Sequence, residues 1–218
     1  MSAGVKEAIQ YAEDVVSGAI VSGLLVKQSC QRFLTDLEQA HKRGLFFDAE
    51  EAQLACDFYP MFTCHIKGKL AGEPIILEPW QAFSIVNVFG WKNKADNTRR
   101  FRTVYEEVAR KNAKSTKLSG VGLYMTGFDG EGGAEVYSAA TTKDQARIVF
   151  NDAKQMVEDA WDWSALRTTL SVTTSSNIFN YVLTGSGNRA KILDVVNDSS
   201  NFFMKYQSQH WFNDKILN

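Results

Sequence analysis

The sequence predicts an α/β chain, a mostly parallel sheet flanked by helices and preceded by an N-terminal helical segment. Three observations carry that prediction: apolar residues at helical spacing through residues 4–62, a strand-loop-helix order over residues 102–125, and alternating strand-like and helix-like segments after it. Composition permits such a core, with 44% hydrophobic and 22% charged residues in 218. That balance is ordinary for a globular protein, and no apolar run approaches the roughly 20 residues of a membrane helix. Glu7, Glu13 and Asp14 stand among the first apolar residues, so the basic-then-apolar order of a secretion signal is missing. The expectation is a cytosolic protein with no membrane partner. Cys30, Cys56 and Cys64 are odd in number and fit reduced core residues. Cys56, Cys64 and His65 lack the fourth ligand and the short Cys-x-x-Cys spacing of a zinc site.

Taken in order, residues 4–22 and 27–42 predict two helices, the second with Phe33, Leu34, Leu37 and His41 on helical spacing and Gly44 as its stop. Asp48 with Glu51 starts a third helix as a capping box, and Leu54, Phe58, Met61 and Phe62 continue it. His65 to Leu77, interrupted by Gly68, Gly72 and Pro74, predicts a hairpin or loop. Pro79 fits the first turn of a helix carrying Trp80, Phe83, Ile85, Val86 and Phe89 and closed by Gly90. Thr103, Val104, Tyr105 and Val108 favour a strand over Arg102 to Val108, and Leu118, Val121, Gly122 and Tyr124 a helix over Lys114 to Met125. Glu135 to Ala139 predicts a short strand. Thr142 and Gln145 form a capping box before the stripe Ala146, Val149, Phe150, Ala153, Met156, Val157 and Ala160. Leu166 to Thr173 and Ile178 to Leu183 are further strand candidates. Ligand sites in such a sheet lie at the carboxyl ends of its strands.

The segment at the strand-to-helix junction carries the chemistry. Val108-Ala109-Arg110-Lys111-Asn112-Ala113-Lys114-Ser115-Thr116 reads as a phosphate-binding loop, in which backbone N–H groups wrap a polyphosphate and a lysine reaches its outer phosphates. Val108 and Ala113 occupy the two positions where the general pattern has glycine. Charge points the same way: between Lys92 and Lys117 nine bases face three acids, an excess of six in a chain whose net charge is −1. Such a stretch is built to meet anions; a solvated face is the default reading for Lys92 to Arg102 and fits less well for Arg110 to Lys114, at the strand-to-helix junction.

In order as well as in kind, these segments resemble one family. Leu77-Glu78-Pro79-Trp80-Gln81 with Phe89-Gly90-Trp91, then the loop with Arg110-Lys111-Asn112 before Lys114-Ser115, then Ala134 to Thr141 with Asp144-Gln145-Ala146, look like the N-terminal ATPase region of the large terminase subunit of tailed bacteriophages. The resemblance covers roughly residues 45–185 and departs at Ala113, where this branch usually has glycine. It implies a P-loop NTPase-type core over residues 63–186, a helical segment over 1–62 and an unrecognised tail over 187–218. It also implies a motor that couples ATP hydrolysis to translocation of double-stranded DNA into a procapsid, in the cytoplasm of an infected bacterium. Portal protein, small terminase subunit and a homo-oligomeric ring are the partners it implies.

Carried over by position, Lys114 would contact the β- and γ-phosphates of ATP, Ser115 would hold Mg²⁺, and Arg110 would touch the phosphates as a second catalytic residue. Lys111, Asn112, Ala113 and Thr116 complete the nucleotide loop, and Gln81 would pair with the purine edge of adenine. The family also needs a strand ending in Asp-Glu to complete the metal site. Glu158-Asp159 sits on a predicted helix and Asp194 is a feeble candidate, so the expectation is a chain interrupted before that motif. Two other readings stay open: a non-catalytic remnant acting as an interaction module, and a helicase-like ATPase.

Overall fold

The computed structural model describes residues 3–130, 134–159 and 204–205. They form a mixed helix and strand fold in two compact units, Met1–Tyr59 with Ile76–Val104, and Pro60–Ile75 with Tyr105–Asn218.

The first unit opens with helix α1 (Ala3–Ser17), whose Val5, Ala8, Ala12 and Val15 fall on one buried face. It ends short of the expected residue 22 because Gly18 turns left-handed at φ 89° and breaks the helical path. Helix α2 (Leu24–Gln39) tightens into a 3₁₀ turn, Ala40–Arg43, and stops at Gly44 with φ 71°, as its sequence predicts. Strand β1 (Leu45–Phe47) follows, then helix α3 (Ala49–Phe62), where Asp48 Oδ1 accepts the Glu51 N–H at 3.1 Å. Helix α4 (Pro79–Gly90) begins with proline at its first position and packs on α1, and strand β2 (Trp91–Asn93) pairs antiparallel with β1, Phe47 opposite Trp91.

Aromatic rings knit this unit together. Phe33 meets Phe83 and Trp91 edge-on, with centroids 5.4 Å and 6.2 Å away, and Phe47 lies 5.1 Å from Trp91. Edge-to-face pairs of this kind add about 0.5–1.5 kcal/mol each beyond the area they bury.

Several bases of the expected anion-facing stretch are spent inside this unit. Buried Lys92 reaches Asp48 at 3.3 Å and also Glu51, while Arg100 binds the buried Asp36 at 2.5 Å and lies over the rings of Trp91 and Phe101. Arg99 lies over Phe89. The chain turns back through Asn97 at φ 58°, with an Asp96 cap on Thr98, so that Lys92 bridges Arg99 across an antiparallel turn. Part of the basic excess along the sequence is therefore spent inside, because carboxylates distant in sequence pair with Lys92 and Arg100.

In the second unit, Thr63 to Ile75 is the expected hairpin. His65 N–H donates to Glu73 and Ile75 N–H to Thr63, and Cys64 bridges Pro74. Helix α5 (Lys114–Gly127) packs on helix α6 (Lys143–Asp159), whose Ala146, Val149, Met156 and Val157 are buried. At the start of α6 the Thr142 hydroxyl accepts the Gln145 N–H at 3.3 Å, whereas the Gln145 carbonyl takes the Thr141 hydroxyl, so only half of the expected capping box forms. Of Glu135 to Ala139, only Tyr137–Ser138 forms a strand, β3, which pairs antiparallel with β4 (Met204–Lys205).

Among the described residues both strand pairs are antiparallel. The strand expected over Arg102 to Val108 is not formed there: the run carries no strand hydrogen bonding and Thr103 to Tyr105 are exposed. β-branched residues favour extended backbone, but a strand also needs a partner edge. Ala160 and the candidates at 166–173 and 178–183 lie outside the described residues.

Two outcomes follow. A methyl group on Gly90 would sit 2.4 Å from the Phe47 ring and 3.0 Å from Ala52 Cβ, so Gly90→Ala should cost about 1–3 kcal/mol in denaturant unfolding. Burial pushes the Cys30 thiol up to about 11 and that of Cys56 to about 12, from an ordinary 9.0. Both are protonated below pH 9 in either state, and the unfolded chain ionises first above it. Their contribution to stability should therefore be fully present below pH 9 and fall away as pH rises toward 11–12, which a Cys56→Ala variant titrated in parallel would show as a shallower alkaline loss.

Candidate functional site

The loop at the start of α5 belongs wholly to the second unit. Helix α5 begins at Lys114, where the sequence puts it, and its body is deeply set: Lys117, Ser119, Gly120, Val121, Leu123, Tyr124 and Met125 are buried. Ser119 anchors it, its hydroxyl lying 2.8 Å from the Ser115 carbonyl and 2.8 Å from the Val149 carbonyl on α6. The amino end emerges differently. Ala109 to Ala113 are exposed and Lys114, Ser115 and Thr116 half-buried, so a fixed helix presents its first turn to solvent. The first N–H groups of a helix have no intrahelical partner and carry the positive end of its dipole, the setting in which anions are held.

Loop conformation supports the same chemistry. Lys111 at φ 69° and Ala113 at φ 52° both adopt the left-handed region, and Ala113 is the residue that caps α5, with its carbonyl accepting the Lys117 N–H at 2.9 Å. Alternation of left- and right-handed residues turns successive N–H groups toward one side, which forms an anion-binding concavity. Ala113 thus holds the conformation that glycine provides at this position in the resembled family, at a steric cost glycine avoids. The Lys114 ammonium lies back across the loop and donates to the Val108 carbonyl at 2.7 Å, and the Asn112 amide donates to the Ala109 carbonyl at 3.1 Å. Arg110 and Lys111 extend into solvent.

Gln81, expected to read a purine, belongs to the first unit. It is buried at 6% exposure, and its side-chain carbonyl accepts the Glu78 N–H at 3.0 Å as the reciprocal half of a capping box at the start of α4. The Glu78-x-x-Gln81 spacing was the signal for that role, hidden because glutamate is not among the usual N-cap residues.

Lys117, counted with the anion-facing bases, is 3% exposed and paired with Glu106. Burial lowers its pKa, against the opposing pull of the Glu106 carboxylate. Its position four residues before Val121 on the buried stripe was the available signal. Glu135, in the third resembling segment, accepts the Tyr137 hydroxyl, and burial followed by that bond raises the tyrosine pKa. Among the described residues no group of three or more His, Cys, Asp or Glu could hold a metal ion, and no helix is long and apolar enough to cross a membrane. Glu158 and Asp159 lie on α6, and Asp194 lies outside the described residues.

Comparison with known proteins meets this geometry at the same residues. The family model for the terminase large subunit, ATPase domain, matches residues 79–182. The matched segment, just under half of the chain, is similar to that ATPase domain. The terminase large subunit of Enterobacteria phage HK97 is 33% identical over 101 residues, 46% of this chain. That match spans 19% of the length of the phage protein. No solved structure matches the chain. The terminase ATPase match begins at Pro79, the first residue of α4, and runs through the loop and α6.

Relief of the left-handed alanine is measurable without any ligand. Ala113→Gly should stabilise the protein by about 1 kcal/mol, net of the flexibility glycine adds to the unfolded chain. That corresponds to a rise in Tm of roughly 2–4 °C, read by differential scanning fluorimetry.

Proposed function

We propose that the chain binds Mg-ATP at the Val108 to Thr116 loop as the ATPase part of a viral DNA-packaging motor. The observation that carries this reading is Ala113: a non-glycine residue holds the left-handed backbone that a phosphate loop requires, immediately ahead of Lys114 and Ser115 on a buried helix. A turn serving only to start a helix has no need of that cost.

Each residue then has a role. The N–H groups of Asn112 to Thr116 would face the phosphates, and Lys114 would leave the Val108 carbonyl to reach the β- and γ-oxygens. Arg110, exposed beside it, would add charge to the outer phosphate, with Lys111 at the rim. The Ser115 hydroxyl would ligate Mg²⁺, which takes few protein ligands and keeps phosphate oxygens and water for the rest. Bound Mg-ATP would supply the reacting phosphoryl group, and its metal would offset negative charge on the phosphates.

The family match supports the wider reading as well. Residues 63–186 would form the ATPase core on a mostly parallel sheet, after a helical segment at 1–62 and before an unassigned tail at 187–218. ATP hydrolysis would drive double-stranded DNA into a procapsid, with portal protein, small terminase subunit and further copies in a ring as partners, in the cytoplasm of an infected bacterium. Of the bases between Lys92 and Lys117, Lys94, Arg102, Arg110 and Lys111 are exposed.

The decisive experiment is nucleotide-induced stabilisation. Mg-ATP at about 100 times its dissociation constant should add about 2.7 kcal/mol, a rise in Tm of roughly 5–10 °C. Lys114→Ala should abolish that rise, and equal shifts in both proteins would remove Lys114 from the site.

A further inference from the structure

We infer that the ion pair of half-buried Glu106 with buried Lys117 is the positioning device of the phosphate loop, the tie that holds its incoming leg against α5. This rests on the nucleotide reading above and adds to it the residues that set the loop's shape.

Glu106 stands two residues before Val108, where the loop begins, and Lys117 one turn into α5, just beyond where it ends. Their side chains meet directly: the Lys117 ammonium donates to Glu106 Oε2, with the lysine side chain 3% exposed and the glutamate 24%. The loop is therefore closed at its base by a charge-assisted bond between the two legs. Above it come the Lys114–Val108 and Asn112–Ala109 bonds. These two differ in kind from the tie. Lys114 has to let go of Val108 when it turns to a phosphate, and Asn112 sits in the exposed loop itself. Glu106 to Lys117 is the contact that can persist through binding. Among the described residues, the incoming run 101–109 carries no strand ladder that would hold it.

Location argues against a direct role in phosphate contact. Lys117 lies on the buried stripe with Val121 and Tyr124, and its own N–H is bound to the Ala113 carbonyl at 2.9 Å. Its charge is already matched by Glu106, so it adds little to the field that an incoming anion meets. The pair acts through the backbone: it fixes where Val108 enters and where Ala113 hands over to the helix. The left-handed residues Lys111 and Ala113 are strained conformations that persist only when their surroundings over-determine them.

The test uses the full chain and four variants, Glu106→Gln, Lys117→Met, Glu106→Asp and the exchange Glu106→Lys with Lys117→Glu. Two readouts are taken: the dissociation constant for Mg-ATP, and the rate of trypsin cleavage after Arg110 and Lys111 without nucleotide. If the competent loop population falls to about a tenth, Glu106→Gln and Lys117→Met should each weaken Mg-ATP about tenfold. Loop cleavage should quicken about tenfold or more if the parent loop is about 90% competent or better, because cleavage follows the open population, the remainder of the competent one. Glu106→Asp, which keeps the charge, should stay within about threefold of the parent on both readouts. The exchanged pair should recover most of the loss.

Parental affinity and parental cleavage in Glu106→Gln would overturn the inference, as would an exchanged pair that regains Tm without regaining either readout. If the exchange does not fold, the contrast between Glu106→Gln and Glu106→Asp decides. Failure of the parent chain to bind Mg-ATP at all would overturn the nucleotide reading, and the cleavage comparison alone would then confirm or overturn the tie.

Discussion

Helix α5 sets the constraint on which the candidate site depends: it is buried along its length yet must leave its first N–H groups without intrahelical partners. A helix buried at both ends would have to satisfy those groups internally. Here the end comes to the surface under an exposed loop, and the capping is done by backbone shape, because Ala113 offers no side-chain hydrogen bond. Loop, lysine and helix are thus one object, and the rigidity of that object comes from Ser119 gripping Val149 and from the apolar contacts of α5 with α6.

Charge in this protein is mostly structural. Asp36 collects Arg43 and Arg100, Lys92 collects Asp48 and Glu51, Asp152 takes Lys67, and Lys117 takes Glu106. In each case at least one partner is buried, where a charge without its counterpart would cost several kcal/mol of desolvation. Such pairs fix how distant segments meet more than they add to stability. They also explain why the basic stretch from Lys92 to Lys117 is a poor guide to what meets DNA: its members face inward at Lys92, Arg100 and Lys117 and outward at Arg110 and Lys111.

Motif and match agree because they read the same residues. The terminase ATPase match begins at Pro79 and passes through the loop, and the identity with the HK97 large subunit covers 101 residues. Gln81 gives the sharper lesson. A residue singled out for a ligand proves to have a complete local task, closing the start of α4.

Sequence alone determined what is local. Pro79 at a helix start, Gly44 at a helix stop, Asp48 and Thr142 as caps, the hairpin between Thr63 and Ile75 and the onset of α5 at Lys114 follow from dihedral preference and hydrogen bonds spanning a few residues. The loop was legible as a candidate for the same reason, since the phosphate-loop pattern is contiguous in sequence. Tertiary structure alone decided whether Arg102 to Val108 pairs as a strand, where the bases point, and that Lys117 belongs to Glu106. It also decided that Ala113 would accept a left-handed backbone. Those outcomes turn on partners far apart in sequence and on burial, which raises the cost of every unmatched charge and lets packing impose a conformation that local preference disfavours.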